Sequence, residues 1–194
     1  MNSRPWILAS SSPRRRELMT AAGYPFTVVA PSPEAECGVC SGESPPELVA
    51  RLAYQKAADV ATKVDRSLII ACDTVAECQG TILGKPADEQ HARQMLTMLR
   101  GRKHHVYSGL CLWLIPEGEP VVEVAKTTLV MHALSDEAIE EYLASGLWEG
   151  KSGAFGYQDR LGWLDVVEGS ESNVVGLPME LLAETLKRMQ IRAD

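Results

Sequence analysis

The stretch "WILASSSPRRREL", Trp6 to Leu18, changes character twice. Apolar Trp6 to Ala9 reads as a short strand, the three serines as a turn, and residues 13–22 as a helix. Ser12 suits the N-cap and Pro13 the first helical position. That first turn holds the positive end of the helix dipole, where acids are preferred, yet it carries Arg14, Arg15 and Arg16. Each cation there costs about 0.3–1 kcal/mol. A strand, a small-residue turn and a helix N-terminus together make an anion site. Backbone N–H groups and the hydroxyls of Ser10 and Ser12 can face phosphate oxygens, with the arginines as forks for more. On this stretch alone, three solvated surface arginines partly balanced by Glu17 fit as well.

Outward from this unit, strands and helices alternate. Strands are expected at 6–9, 26–30 and 67–72, then a short hairpin through Gln79 and Gly80. Two longer strands, 104–115 and 121–133, flank the turn "PEGEP", and a pair of strands is expected around 161–176. Helices are expected at about 45–64, 88–99 and 135–144, with a closing helix from Pro178. Loops fill 31–44 and 149–159. The alternation predicts a mixed α/β layer fold, one domain spanning residues 1–194. No repeat or linker divides it.

A chain of 194 residues with 45% hydrophobic and 23% charged side chains can bury a proper core. Its net charge of −7 argues against a broad nucleic-acid surface, so phosphate affinity must come from a local basic pocket. No apolar run reaches membrane-spanning length, and "MNSRPWILAS" is too short for a signal peptide. The cytoplasm is the expected compartment. Cysteines at 37, 40, 72, 78 and 111 are then expected reduced. Cys37 and Cys40 have zinc-knuckle spacing, but no second ligand pair follows, and adjacent His104 and His105 are poorly spaced as ligands.

Several other residues break local rules. On a helical wheel of residues 45–64, Lys56 falls inside the arc of Leu48, Val49, Ala53, Ala57, Val60 and Val64. It must snorkel or meet a buried anion. Asp73 follows the apolar run Leu68 to Cys72, at the carboxyl end where open α/β sheets put ligand groups. It can hold a metal or activate water, though a turn aspartate reads the same way. Glu34 and Glu36 sit in a long loop, within conceivable reach of Asp73 around one ion. Lys85 stands between Gly84 and Pro86, and "EGKSGAFGYQDR" offers glycines for close backbone approach and Gln158 for reading a base edge. Basic side chains with a few carboxylates are the inventory for a polyphosphate and a divalent cation.

The blocks "ILASSSPRRREL", "LVARLAYQKA", "IIACDT", "ILGKP", "GKSGAFGYQDR" and "NVVGLP" resemble, in order and spacing, the Maf-like nucleotide pyrophosphatase family. The resemblance covers essentially the whole chain. It implies an elongated α/β fold, a mixed sheet with flanking helices and a cleft between two lobes, shared with inosine-triphosphate pyrophosphatases. It also implies a homodimer and hydrolysis of nucleoside triphosphates to monophosphate and pyrophosphate, with magnesium, manganese or cobalt as divalent ion. By position, Asp73 matches the catalytic aspartate and Glu36 the loop glutamate, the two holding metal. Ser10, Ser12, Arg15, Lys56 and Lys85 match the phosphate-binding residues. Arg14, Thr74 and Gln158 match the specificity positions, in the form of the branch acting on dTTP and UTP. Two positions depart: Cys37 stands where many members have a second acid, and Asp159 where the family often has glycine.

The expected function is therefore a nucleotide-pool pyrophosphatase, with no nucleic-acid or membrane partner. A nucleotide-binding regulator of division or stress would use the same pocket without turnover. A metal- or redox-responsive protein would use Cys37 and Cys40 instead.

Overall fold

The computed structural model describes residues 4–36, 42–159 and 161–191. Cys37 and Cys40 lie outside them. Strand β1 (Trp6–Ala9) leads into helix α1 (Pro13–Ala21) as the opening stretch implies. β2 is only Thr27–Val28, shorter than expected, and Pro33–Glu36 form a single 3₁₀ turn. Then come α2 (Pro45–Ala61), β3 (Ser67–Cys78) and β4 (Thr81–Leu83). Gln79 and Gly80 join β3 to β4, both with positive φ (53° and 79°), as a two-residue hairpin turn of the primed kind requires. α3 (Glu89–Leu99), β5 (Lys103–Ile115), β6 (Val121–Met131) and α4 (Asp136–Ala144) follow close to their expected bounds.

The region 161–176 corrects the expectation. It holds one strand, β7 (Leu164–Glu168), and then a short helix, α5 (Glu171–Val175). Ser170 caps α5 by accepting from the Asn173 N–H at 3.3 Å. Cap chemistry thus overrides the β preference of Val174 and Val175. α6 (Met179–Arg188) closes the chain.

Seven strands form one mixed sheet in the order β2-β1-β3-β5-β6-β7, with β4 also on β3. β1 lies parallel to both β2 and β3; the other pairs are antiparallel. Period-two alternation sorts the core. Leu68, Ile70 and Cys72 face Met19 of α1 and Leu182 and Leu186 of α6. Ile69 and Ala71 face Ala53, Ala57 and Val60 of α2. A second lobe packs α3 and α4 on the far halves of β3, β5 and β6, around Leu96, Leu99, Leu129 and Tyr142. Each fully buried Leu or Ile contributes about 1.5–3 kcal/mol, so two such cores can offset a few desolvated charges between them.

β3 runs through both lobes, and this is what opens the site. Its first half pairs with β1 as far as Ala9 against Ala71. Its last residues pair with β4 from Ala76 against Leu83. Between them, Cys72 to Val75 keep β5 on one side and, among the described residues, have no strand on the other. Asp73, expected at a strand end, instead sits inside a strand that continues past it. The gap in its neighbours does the work of an end.

Candidate active site

Ser10, Ser12, Arg15, Glu36, Lys56, Asp73 and Lys85 all line one cleft of about 540 Å³ at this gap. Arg14, Thr74 and Gln158 line it too. Glu34, in the same 3₁₀ turn as Glu36, does not. Of the three arginines, Arg15 is buried, Arg14 half-buried and Arg16 exposed.

The α2 side of the cleft carries the acids. Asp73 continues the row of Ile69 and Ala71 and so points toward α2, where Lys56 is 4% exposed on the apolar face. The Lys56 Nζ donates to Asp73 Oδ1 at 2.6 Å and stands 3.1 Å from Glu36 Oε1. The wheel position thus ends in a buried anion contact, and the snorkelling alternative fails. Burial works to raise the Glu36 carboxyl pKa, but the Lys56 ammonium outweighs it, aided by Lys85 and Arg15, and holds it below the usual range. Glu36 is brought there by its loop: Ser32 donates its N–H and hydroxyl to Asp59 of α2 at 2.9 and 2.7 Å.

The opposite face carries Thr74 and Arg15. Arg15 donates through Nε to the Gly176 carbonyl at 2.7 Å. Its other nitrogens donate to Ser10 Oγ and Thr74 Oγ1, each at 3.2 Å. Three of its five N–H groups are therefore committed to the protein, so it is less a loose phosphate fork than a fixed charge. Thr74 Oγ1 also bonds Ser108 Oγ at 2.8 Å. Between these residues lies the α1 N-terminus. Ser12 has the extended backbone of an N-cap, but its hydroxyl makes no capping bond, and no acid occupies the first turn. The helix start lines the cleft at Ser12, Pro13 and Arg14, and first-turn N–H groups without intrahelical partners suit an anion.

Lys85 is exposed at the mouth. Gln158 is exposed on the far wall, and Arg14 reaches that wall through a 3.1 Å bond from Nη2 to the Gly150 carbonyl. Burial, and then Arg15 beside it, lower the Arg14 pKa from its ordinary value. Sequence reasoning missed Lys151, which is buried, lines the cleft and pairs with Asp159. Its flanking glycines made it read as a turn. It also missed the Gly176 carbonyl, since a backbone acceptor leaves no mark on a sequence.

Known proteins resemble this chain over most or all of its length. A Rhodopirellula baltica protein called dTTP/UTP pyrophosphatase is 54% identical over 100% of this chain and 86% of its own length. One of the same name from Geotalea uraniireducens is 40% identical over 94% of each. The Staphylococcus aureus Ham1 protein structure covers 96% of this chain, and 100% of that one, with a TM-score of 0.53 at 14% identity, a likeness of fold alone. The Maf-like protein profile matches residues 5–189, a span that takes in both faces of the gap in β3 and every residue named around it, and the chain belongs to that family.

Proposed function

We propose that this protein hydrolyses dTTP and UTP to the monophosphate and pyrophosphate, as the names of its relatives say of them. The observation that carries the reading is the Lys56 ammonium held between Asp73 and Glu36, in one cleft with Arg15, Lys85 and a helix N-terminus. Acids and phosphate-binding cations converge there, which a plain nucleotide-binding surface would not need.

Ser10, Ser12 and the α1 N–H groups receive phosphate oxygens. Asp73 orients a water in line with the α-phosphorus and takes its proton as the new P–O bond forms. The bond from the α-phosphorus to the bridging oxygen breaks, and pyrophosphate leaves. Arg15, Lys56 and Lys85 stabilise the charge that grows on it, the main source of catalysis in phosphoryl transfer. Arg14, Thr74 and Gln158 select the base.

The donor set also fits a divalent cation. Two carboxylates already meet at one ammonium, and magnesium takes one or two carboxylates together with phosphates and water. Among the described residues no group of three or more acids, cysteines or histidines gathers, so Glu36 and Asp73 would share the ion with substrate. When bound, magnesium, manganese or cobalt supplies charge neutralisation and a more acidic water.

The homodimer, the cytoplasmic location and the single 1–194 domain belong to the same proposal. Among the described residues no helix is long and apolar enough to cross a membrane. The test is a screen of ordinary and modified nucleoside triphosphates for pyrophosphate release with each metal. dTTP and UTP should lead, and Asp73→Asn should cost at least ~10²-fold in kcat with the fold intact. Binding without turnover would favour a regulator, and wild-type-like turnover in the variant would remove Asp73 from the mechanism.

A further inference from the structure

The loop that carries Gln158 is fastened by charges that the chemistry above does not use. Lys151 and Asp159 are 10% and 7% exposed at the side chain, and the Lys151 Nζ donates to both carboxylate oxygens at 2.6 and 2.5 Å. The Tyr142 hydroxyl, from α4, donates to the same carboxylate at 2.8 Å. Tyr142 is in turn wedged against Phe155 and Trp163, with ring centroids 5.4 and 5.3 Å away. Desolvating an ion pair often returns no stability over an apolar pair of the same size. The arrangement therefore needs a reason other than holding the fold together.

Gly156 supplies one. A Cβ at this buried glycine would lie 2.8 Å from the Lys151 Nζ and 2.8 Å from the Gln158 Nε2. The ammonium and the amide therefore lie close together over one point of backbone, so that the place of Lys151 bears on the place of Gln158. At the other end of the loop Arg14 is bonded to the Gly150 carbonyl, and the Asp159 charge acts on its guanidinium. Both outer base-selecting residues thus depend on a loop closed by one ion pair.

We infer that Asp159 is a positioning residue. Held by Lys151 and Tyr142, it aims the Gln158 amide at the nucleotide base and so sets base preference without touching substrate. Lys151, neutralised by Asp159, is not a phosphate ligand. The inference rests on the pyrophosphatase reading and concerns only the base end of the site.

The test compares wild type with Asp159→Asn and Tyr142→Phe, the second keeping the ring and removing only the hydroxyl. Steady-state constants are measured for dTTP, UTP and dGTP, with inorganic tripolyphosphate as a baseless competitive inhibitor. In Asp159→Asn, KM for dTTP and UTP should rise about tenfold while kcat moves less than about threefold. The dTTP to dGTP ratio of kcat/KM should fall, and tripolyphosphate inhibition should stay put. Tyr142→Phe should shift in the same direction by less, and it decides the matter if Asp159→Asn does not fold. An unchanged base ratio in a folded variant overturns the inference, as does an equal loss of tripolyphosphate affinity, which would mean general loosening. If wild type releases pyrophosphate, only the positioning role falls in those cases. If it acts on no nucleotide at all, the functional reading falls and this inference with it.

Discussion

Replacing Lys56 by methionine keeps an apolar stem on the buried face of α2 and removes only the ammonium between Asp73 and Glu36. Burial then acts on the Glu36 carboxyl with its main opponent gone, so the Glu36 pKa should rise, visible in a carbon-13 titration of its side chain. Pyrophosphate release should fall by at least ~10²-fold. An unmoved titration would mean that the ammonium does not sit between the acids in solution. Lys56 was legible in the sequence because a cation on an apolar arc breaks a pattern that can be counted. Arg15 was legible as a cation in the wrong turn, but its bond to the Gly176 carbonyl spans 161 residues and has no local trace. Lys151 was illegible for the opposite reason: between glycines it breaks no rule.

At the scale of the element, α2 both supplies Lys56 and clasps the loop that delivers Glu36. The clasp is Asp59, whose pKa is lowered to about 2, first by Lys63 and then by Ser32. A carboxylate lowered on folding stabilises fully above its unfolded value, near 3.8, and this contribution is lost as pH falls through about 2. Wild type should therefore lose thermal stability between pH 4 and 2. Asp59→Asn should start lower at neutral pH and fall less steeply over that window; identical pH profiles would dissociate Asp59 from the clasp. Elements with polar caps were placed well from sequence. Asp88 accepts from the His91 N–H at 2.7 Å and Ser135 from the Ala138 N–H at 3.2 Å, and both helices begin one residue later. The errors arose where local cues conflicted. Ser170 started a helix in a β-rich segment, and β3 ran on through Asp73 because β5 pairs with it from Ser67 to Glu77.

For the whole molecule, the decisive contact is where α2 crosses the sheet. Gly109 pairs with Asp73, and a Cβ there would lie 2.0 Å from the Val49 carbonyl oxygen, which is backbone and cannot turn aside. Gly109→Ala must lift the helix, at a cost of about 1–3 kcal/mol or more. The melting temperature should drop by about 2–4 °C for each kcal/mol. Activity should fall as well, since Lys56 rides on the same helix; a variant as stable and active as wild type would refute this close crossing. The layer class followed from alternating periodicity, but the division of β3 between two partners did not. That division depends on where β1 and β4 stop, which only the assembled sheet decides. It leaves a constraint of its own. Asp73 faces Lys56 and Thr74 faces Arg15 because successive side chains of a strand take opposite sides. One residue inserted or deleted between Ser67 and Asp73 would turn the carboxylate to the other side of the sheet, away from the Lys56 ammonium. The count of residues in this segment is thus held more tightly than their identity, which need only stay apolar and of similar volume.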